Sequence, residues 1–169
     1  MTEKPTRAPE DPKRKVRCAF TGHRPQFLKR QEEDVKVDLE NAIMAAIQDG
    51  YTTFITGGAY GVDIWAAEIV TRLRATNPTL HLIAAIPFPG FENGWTEDWQ
   101  QRYNALLAAA DFVVYMKEKY NKQAYQIRNE WMVSHATRLI AVYNGEPSGT
   151  RNTIYFARKT RVNVRTIKG

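Results

Sequence analysis

Six short apolar runs alternate with five stretches of helical periodicity, and this alternation constrains the fold more than any other feature of the chain. The runs are Val16–Thr21, Tyr51–Thr56, Leu80–Ile86, Asp111–Met116, Thr137–Tyr143 and residues 162–167. Between the first two, Val35, Leu39, Ala42, Ile43, Ala46 and Ile47 recur at helical spacing, with Gly50 as a stop signal. After the second, Val62, Trp65, Ala66, Ile69, Val70 and Leu73 mark one helix face. Further helices are predicted over about 96–109, 123–135 and 150–160, the first capped by Thr96 with Glu97 and Asp98 in its first turn. Strands that are apolar nearly throughout are buried on both faces, which is the mark of a parallel sheet. Short connections and right-handed crossovers then predict an α/β fold: a single Rossmann-like, doubly wound, mostly parallel sheet with helices on both faces. That domain is expected over residues 16–169, behind a basic, proline-containing tail over residues 1–15 that is expected to be disordered.

Composition narrows the function classes. A chain of 169 residues, 43% of them hydrophobic, can bury one core of ordinary size. Its single cysteine, Cys18, leaves no intramolecular disulfide framework and no multi-cysteine metal site, and it reads as a small buried residue. No metal is expected. No apolar run approaches the roughly 18–20 residues of a membrane span, and the N-terminus lacks a signal peptide's apolar core. A soluble, cytoplasmic protein without a membrane partner is therefore expected. The net charge of +6 is unevenly placed: residues 151–169 hold six bases and no acid, whereas the first 150 residues balance. Such a segment either steers a phosphate-bearing ligand or a nucleic acid, or is a solvated helix face with a polar edge strand.

Ligands of open parallel sheets bind at the carboxyl ends of the strands, so the residues that follow each strand carry the argument. Strand one runs into Thr21-Gly22-His23-Arg24-Pro25, strand two into Thr56-Gly57-Gly58-Ala59-Tyr60-Gly61-Val62-Asp63, and strand three into Pro87-Phe88-Pro89-Gly90. The glycines after strand two let backbone N–H groups approach a ligand, and the next helix adds orphan donors and a positive dipole end. This predicts a phosphate-binding loop. Neither the Gly-x-Gly-x-x-Gly dinucleotide fingerprint nor a Walker A lysine loop is present, which disfavours ordinary NAD-dependent and P-loop chemistry. Gly149 and Thr150 open the last helix and form a second anion candidate; alternatively Thr150 only caps its own helix.

Thr21-Gly22-His23-Arg24-Pro25, Gly57-Gly58-Ala59-Tyr60-Gly61-Val62-Asp63, Arg128-Asn129 followed by Met132, and Ser148-Gly149-Thr150 occur in this order. With them the chain resembles the YpsA-like branch of the SLOG superfamily, over roughly residues 16–167. The superfamily also holds the DNA-processing protein DprA and the LOG phosphoribohydrolases. The resemblance implies a Rossmann-like fold whose glycine loops bind a nucleotide or nucleotide-derived ligand. It places the first motif on Gly57, Gly58, Gly61 and Asp63 and the second on Gly149 and Thr150. It also implies a homo-oligomer. In LOG enzymes the second motif reads Pro-Gly-Gly-x-Gly-Thr-x-x-Glu, and the glutamate serves hydrolysis of the N-glycosidic bond. Here Thr153 stands in place of that glutamate and Glu146-Pro147-Ser148 replaces Pro-Gly-Gly. Arg128 matches an arginine of those enzymes but cannot act as a general base.

The remaining candidates follow from position. Arg24 suits bidentate phosphate binding. His23 hydrogen-bonds a ligand or its own loop, and His81 and His135 read as structural. Asp63 caps its helix or accepts from ribose hydroxyls. Glu92, Trp95 and Trp99 offer base stacking or a packing lid. Helical geometry puts Arg128 on one face with Met132 and turns Glu130 away. The expected ligand-binding set is thus Thr21, Gly22, His23, Arg24, Gly57, Gly58, Ala59, Gly61, Asp63, Pro87, Arg128, Gly149 and Thr150, with no catalytic residue assigned and no cofactor beyond a nucleotide-like ligand. A sensor or sequestering protein is the first reading. The others are a LOG-like hydrolase, using Asp63 or Glu92, and a DprA-like binder of single-stranded DNA that uses the basic end of the chain. Gly58→Asp is expected to weaken ligand binding while leaving the fold intact.

Overall fold

The computed structural model describes residues 11–169. Of the tail expected over residues 1–15, the first ten residues lie outside the described part. The rest enters a 3-10 turn, Pro12–Val16, which Asp11 caps by accepting the Lys13 N–H.

The elements run β1 (Arg17–Gly22), α1 (Glu32–Gln48), β2 (Thr53–Thr56), α2 (Val62–Arg74), β3 (His81–Ile86), α3 (Glu97–Ala109), β4 (Phe112–Tyr115), α4 (Ala124–Ser134), β5 (Arg138–Tyr143), α5 (Gly149–Lys159) and β6 (Asn163–Lys168). The six strands make one sheet in the order β4-β3-β2-β1-β5-β6, with every neighbouring pair parallel. Side chains of successive strand residues leave on opposite faces, and the helices divide accordingly. Cys18, Phe20, Phe54, Leu82 and Ile86 meet α1, α2 and α3 on one face; Ala19, Ile55, Ala85, Leu139 and Ala141 meet α4 and α5 on the other. In α1 the buried residues Val35, Leu39, Ile43 and Ala46 form one stripe, and Glu32, Glu33 and Asp34 complement the dipole of its first turn.

Two local expectations are corrected. β2 begins at Thr53 rather than Tyr51, because Gly50 takes φ +99° and the Tyr51 N–H turns back to the Ala46 carbonyl, closing α1. The cap of α5 is Ser148, whose hydroxyl accepts the Arg151 N–H at 3.2 Å, and not Thr150, which is buried in the first turn. Thr96 caps α3 as expected, accepting from the Trp99 N–H. Cys18 is buried, which pushes its thiol up to about 12. No described helix is long and apolar enough to cross a membrane.

Candidate functional site

The strand order reverses direction between β1 and β5, and that switch point opens a crevice at their carboxyl ends. Thr21 and Gly22 end β1 there, with Gly22 against the Val62 side chain. His23 follows: its N–H reaches the Val142 carbonyl, its ring stacks on Tyr143 at 5.7 Å, and its buried Nε2 has no partner. Burial holds the imidazole below its ordinary pKa, partly offset by Glu146. Arg24 then turns outward and lays its guanidinium on the Tyr60 ring, 4.5 Å from the centroid.

The loop after β2 is knitted from within. The Gly58 N–H donates to Thr56 Oγ1, Thr56 Oγ1 donates to the Asp63 carbonyl at 2.8 Å, and the Ala59 N–H donates to Asp63 Oδ2 at 3.2 Å. Arg128, buried on α4, donates Nη1 to the Gly57 carbonyl and Nε to Asn129 Oδ1. A Cβ at Gly57 would lie 2.8 Å from both Arg128 Nη1 and Asp63 Oδ2. At Gly58 it would meet Ile86 Cδ1 at 2.6 Å, and at Gly61 it would meet Pro25 Cδ at 2.6 Å, both from positive φ. The expectation that Gly58→Asp spares the fold is therefore overturned: that residue has neither the space nor the backbone conformation for a side chain.

Asp63 is the electrostatic centre of this loop. Burial pushes its carboxyl up to about 6 against the pull of Arg128, the Ala59 N–H and Arg24. Its Oδ1 is buried without a partner. Burial also lowers the Arg128 guanidinium from its ordinary value, with Asp63 opposing.

The second bend is different in kind. A Cβ at Gly149 would find nothing nearer than Asn129 Nδ2, at 4.0 Å. Gly57, Arg128, Asn129 and Gly149 thus form one chain of neighbours, which brings the two glycine bends to the same end of the sheet. Thr153, at the position of the LOG glutamate, is fully buried and donates its hydroxyl to the Gly149 carbonyl at 2.8 Å. Pro87 follows β3 and is buried, its carbonyl accepting the Lys117 N–H.

Beside the first bend lies a cleft of about 510 Å³ lined by Arg24, Tyr60, Phe91, Trp95, Trp99 and Tyr125, among others. Trp95 meets Tyr60 edge-on at 5.2 Å and Phe91 at 5.0 Å. Trp95 and Trp99, expected as stacking candidates, line it; Glu92 does not, its Oε2 being buried without a partner. Sequence reasoning missed Tyr60, Phe91 and Tyr125. Tyr125 had a signal: it precedes Arg128 by three residues, on the same helix face. A cavity of about 520 Å³ on the outer side of α1 and α2 is crossed by the Arg72–Glu40 ion pair and lies away from the strand ends. His135 Nδ1 lies 2.6 Å from the Trp131 carbonyl, and His81 Nδ1 lies 3.7 Å from the Asp111 carboxylate on the surface. Among the described residues no cluster of histidine, cysteine or carboxylates has the makings of a metal site.

The family model described as YpsA, YspA SLOG family matches residues 18–167. A UPF0398 protein of Bacillus thuringiensis is 32% identical over 151 residues, which is 85% of this chain and 82% of that one. A UPF0398 protein of Halalkalibacterium halodurans is 33% identical over 118 residues, covering 69% of this chain and 62% of that one. Among solved structures, DNA processing protein A (DprA) of Streptococcus pneumoniae superimposes with a TM-score of 0.65 at 18% identity, over 93% of this chain and 52% of that chain. DprA of Helicobacter pylori, whose structure concerns its mode of binding single-stranded DNA, gives 0.65 at 18% identity, over 91% and 66%. The chain spans about half the length of the pneumococcal DprA chain, and the likeness is one of fold.

Proposed function

The chain belongs to the YspA SLOG family, and on that premise we propose that it binds a nucleotide or nucleotide-derived ligand without turning it over. The base lies among Tyr60, Trp95 and Trp99. Arg24 and the N–H groups at the start of α2 hold the phosphate from one side, and those of Gly149 and Thr150 hold it from the other. One observation carries this reading: a cleft walled by aromatic rings has an arginine at its rim and a helix N-terminus beside it. A flat π-system joined to an anion is the ligand that such a cleft complements. The absence of turnover rests on Thr153, which puts a sealed hydroxyl where the hydrolytic carboxylate of LOG enzymes stands.

The test is direct. Protein purified from its own cells is denatured and the released small molecules are identified by mass spectrometry; a nucleotide in stoichiometric amount is expected. Thermal-shift titration with a nucleotide panel should raise Tm with no change in the nucleotide. Release of free base during that incubation would replace the sensor with a hydrolase. A panel that leaves Tm unmoved would remove the nucleotide.

A further inference from the structure

We propose that the β4 edge of the sheet pairs with the same edge of a second copy of this chain, antiparallel and about a two-fold axis at Val114. The two borders of the sheet, β4 and β6, are built differently. β6 exposes Asn163, Arg165, Thr166 and Lys168, and Arg30 takes the Lys168 carbonyl at 2.8 Å. Charges of this kind keep an edge strand from pairing with another chain. β4 reads Phe112-Val113-Val114-Tyr115, without a charge, a proline or a glycine. Phe112 is 59% exposed and Tyr115 43%. Shortness is the protection this edge has. The family resemblance implies a homo-oligomer but assigns it no surface, and this edge supplies one.

The flanks of β4 select the occupant. From Asp111 to Lys117 the chain reads acid, five uncharged residues, base. A two-fold axis at Val114 sets Asp111 opposite Lys117 of the partner subunit at both ends, whereas an in-register parallel arrangement would set like charges together. Phe112 then faces the partner's Met116, and Val113 faces the partner's Tyr115, so each cross-strand pair is apolar, aromatic or oppositely charged. Asp111 is held in place by its own protomer, Oδ2 accepting from the Leu82 N–H at 2.8 Å and from Arg74 at 3.1 Å. Lys117 is exposed and makes no ion pair among the described residues. Lys119 and Lys122 are unpaired as well; Lys117 differs in standing as far beyond Val114 as Asp111 stands before it. Shape agrees with charge. The Phe112 ring projects at one end of β4, and at the other end lies a hollow of about 390 Å³ lined by Pro89, Tyr115, Met116, Lys117 and Glu118. The two-fold axis carries the partner's Phe112 to that end, so the knob of each copy meets the hollow of the other. The resulting ladder joins the two sheets into one.

The experiment is sedimentation of the full chain over about 1–100 μM, with mass action setting the dimer fraction. Wild type should reach twice the chain mass. Phe112→Lys, a charge on the bare edge, should leave a monomer throughout that range. Lys117→Glu sets an acid against Asp111 of the partner subunit and should weaken association at least about tenfold. Both positions are exposed, so circular dichroism should match wild type; Lys117→Glu carries the test if Phe112→Lys fails to fold. Arg165→Ala, on the opposite border, should associate like wild type. Val114→Cys tests the register: two copies of that residue meet at the axis and should cross-link under mild oxidation. Phe112→Cys should not cross-link, because its two copies stand four residues out of register, about 14 Å apart along the strand. A monomer at about 100 μM wild type would overturn the proposal. So would a dimer that survives Lys117→Glu or a folded Phe112→Lys, a dimer lost on Arg165→Ala, or a dimeric Val114→Cys that no oxidant cross-links.

Discussion

The two glycine bends look alike in the sequence and are built oppositely. In the loop after β2, Gly57, Gly58 and Gly61 are glycines because the protein itself occupies the space. Arg128, Asp63, Ile86 and Pro25 stand where side chains would begin, and Thr56, Asp63 and Arg128 already take the polar groups of its first half. In the bend before α5, Gly149 faces open space. The first loop is a wall up to Ala59, where its glycines permit close packing, and only its end at the start of α2 is left to face the cleft. The second has room at its glycine, and in the proposed reading its backbone N–H groups face the ligand. A glycine-rich sequence thus records close approach without saying what approaches.

Substitutions can break or sharpen this contrast. Arg128→Ala should cost the most, about 3–5 kcal/mol of unfolding free energy in urea melts, because it strands the Gly57 carbonyl and the Asp63 carboxylate. A loss under about 1 kcal/mol would mean that Arg128 does not hold the wall. Asp63 makes the second prediction. Its raised pKa means that the folded state binds a proton more tightly than the unfolded chain, between the ordinary 3.8 and about 6. Stability is therefore lost as pH rises through that window, on the order of 3 kcal/mol in all. Asp63→Asn should remove most of that slope, and an unchanged slope would place the titrating group elsewhere. Gly58→Ala should cost about 2–3 kcal/mol through the positive φ and the Ile86 contact. Gly149→Ala should stay within about 0.5 kcal/mol of wild type while weakening nucleotide binding. Equal destabilisation at the two glycines would erase the distinction between wall and mouth.

Much of the architecture was legible because periodicity encodes it. The stripe Val35, Leu39, Ile43 and Ala46 and the apolar run Cys18–Phe20 have few other homes than a helix and a buried strand. Boundaries were less legible, since the Ser148 cap and the Tyr51 turn depend on one hydrogen bond each. The gathering of Arg24, Gly57 and Gly149 at one end followed from the rule of carboxyl strand ends, whereas Arg128, on α4, was reached through the family resemblance and its helix face. The aromatic cleft did not: Tyr60, Phe91 and Tyr125 come from three segments whose meeting is a tertiary fact. The filling of the first loop was also invisible, because a sequence shows that a side chain is missing and not what takes its place.

Trp95 and Trp99 line the cleft and report on it by fluorescence, so the decisive measurement is a titration of the protein with nucleoside monophosphates, the matching nucleosides and ribose 5-phosphate. The account predicts that a monophosphate perturbs the tryptophan signal at least tenfold more tightly than either fragment, and that Arg24→Ala removes the preference for phosphate. Millimolar nucleotide without effect on the signal, or binding indifferent to the phosphate, would contradict it.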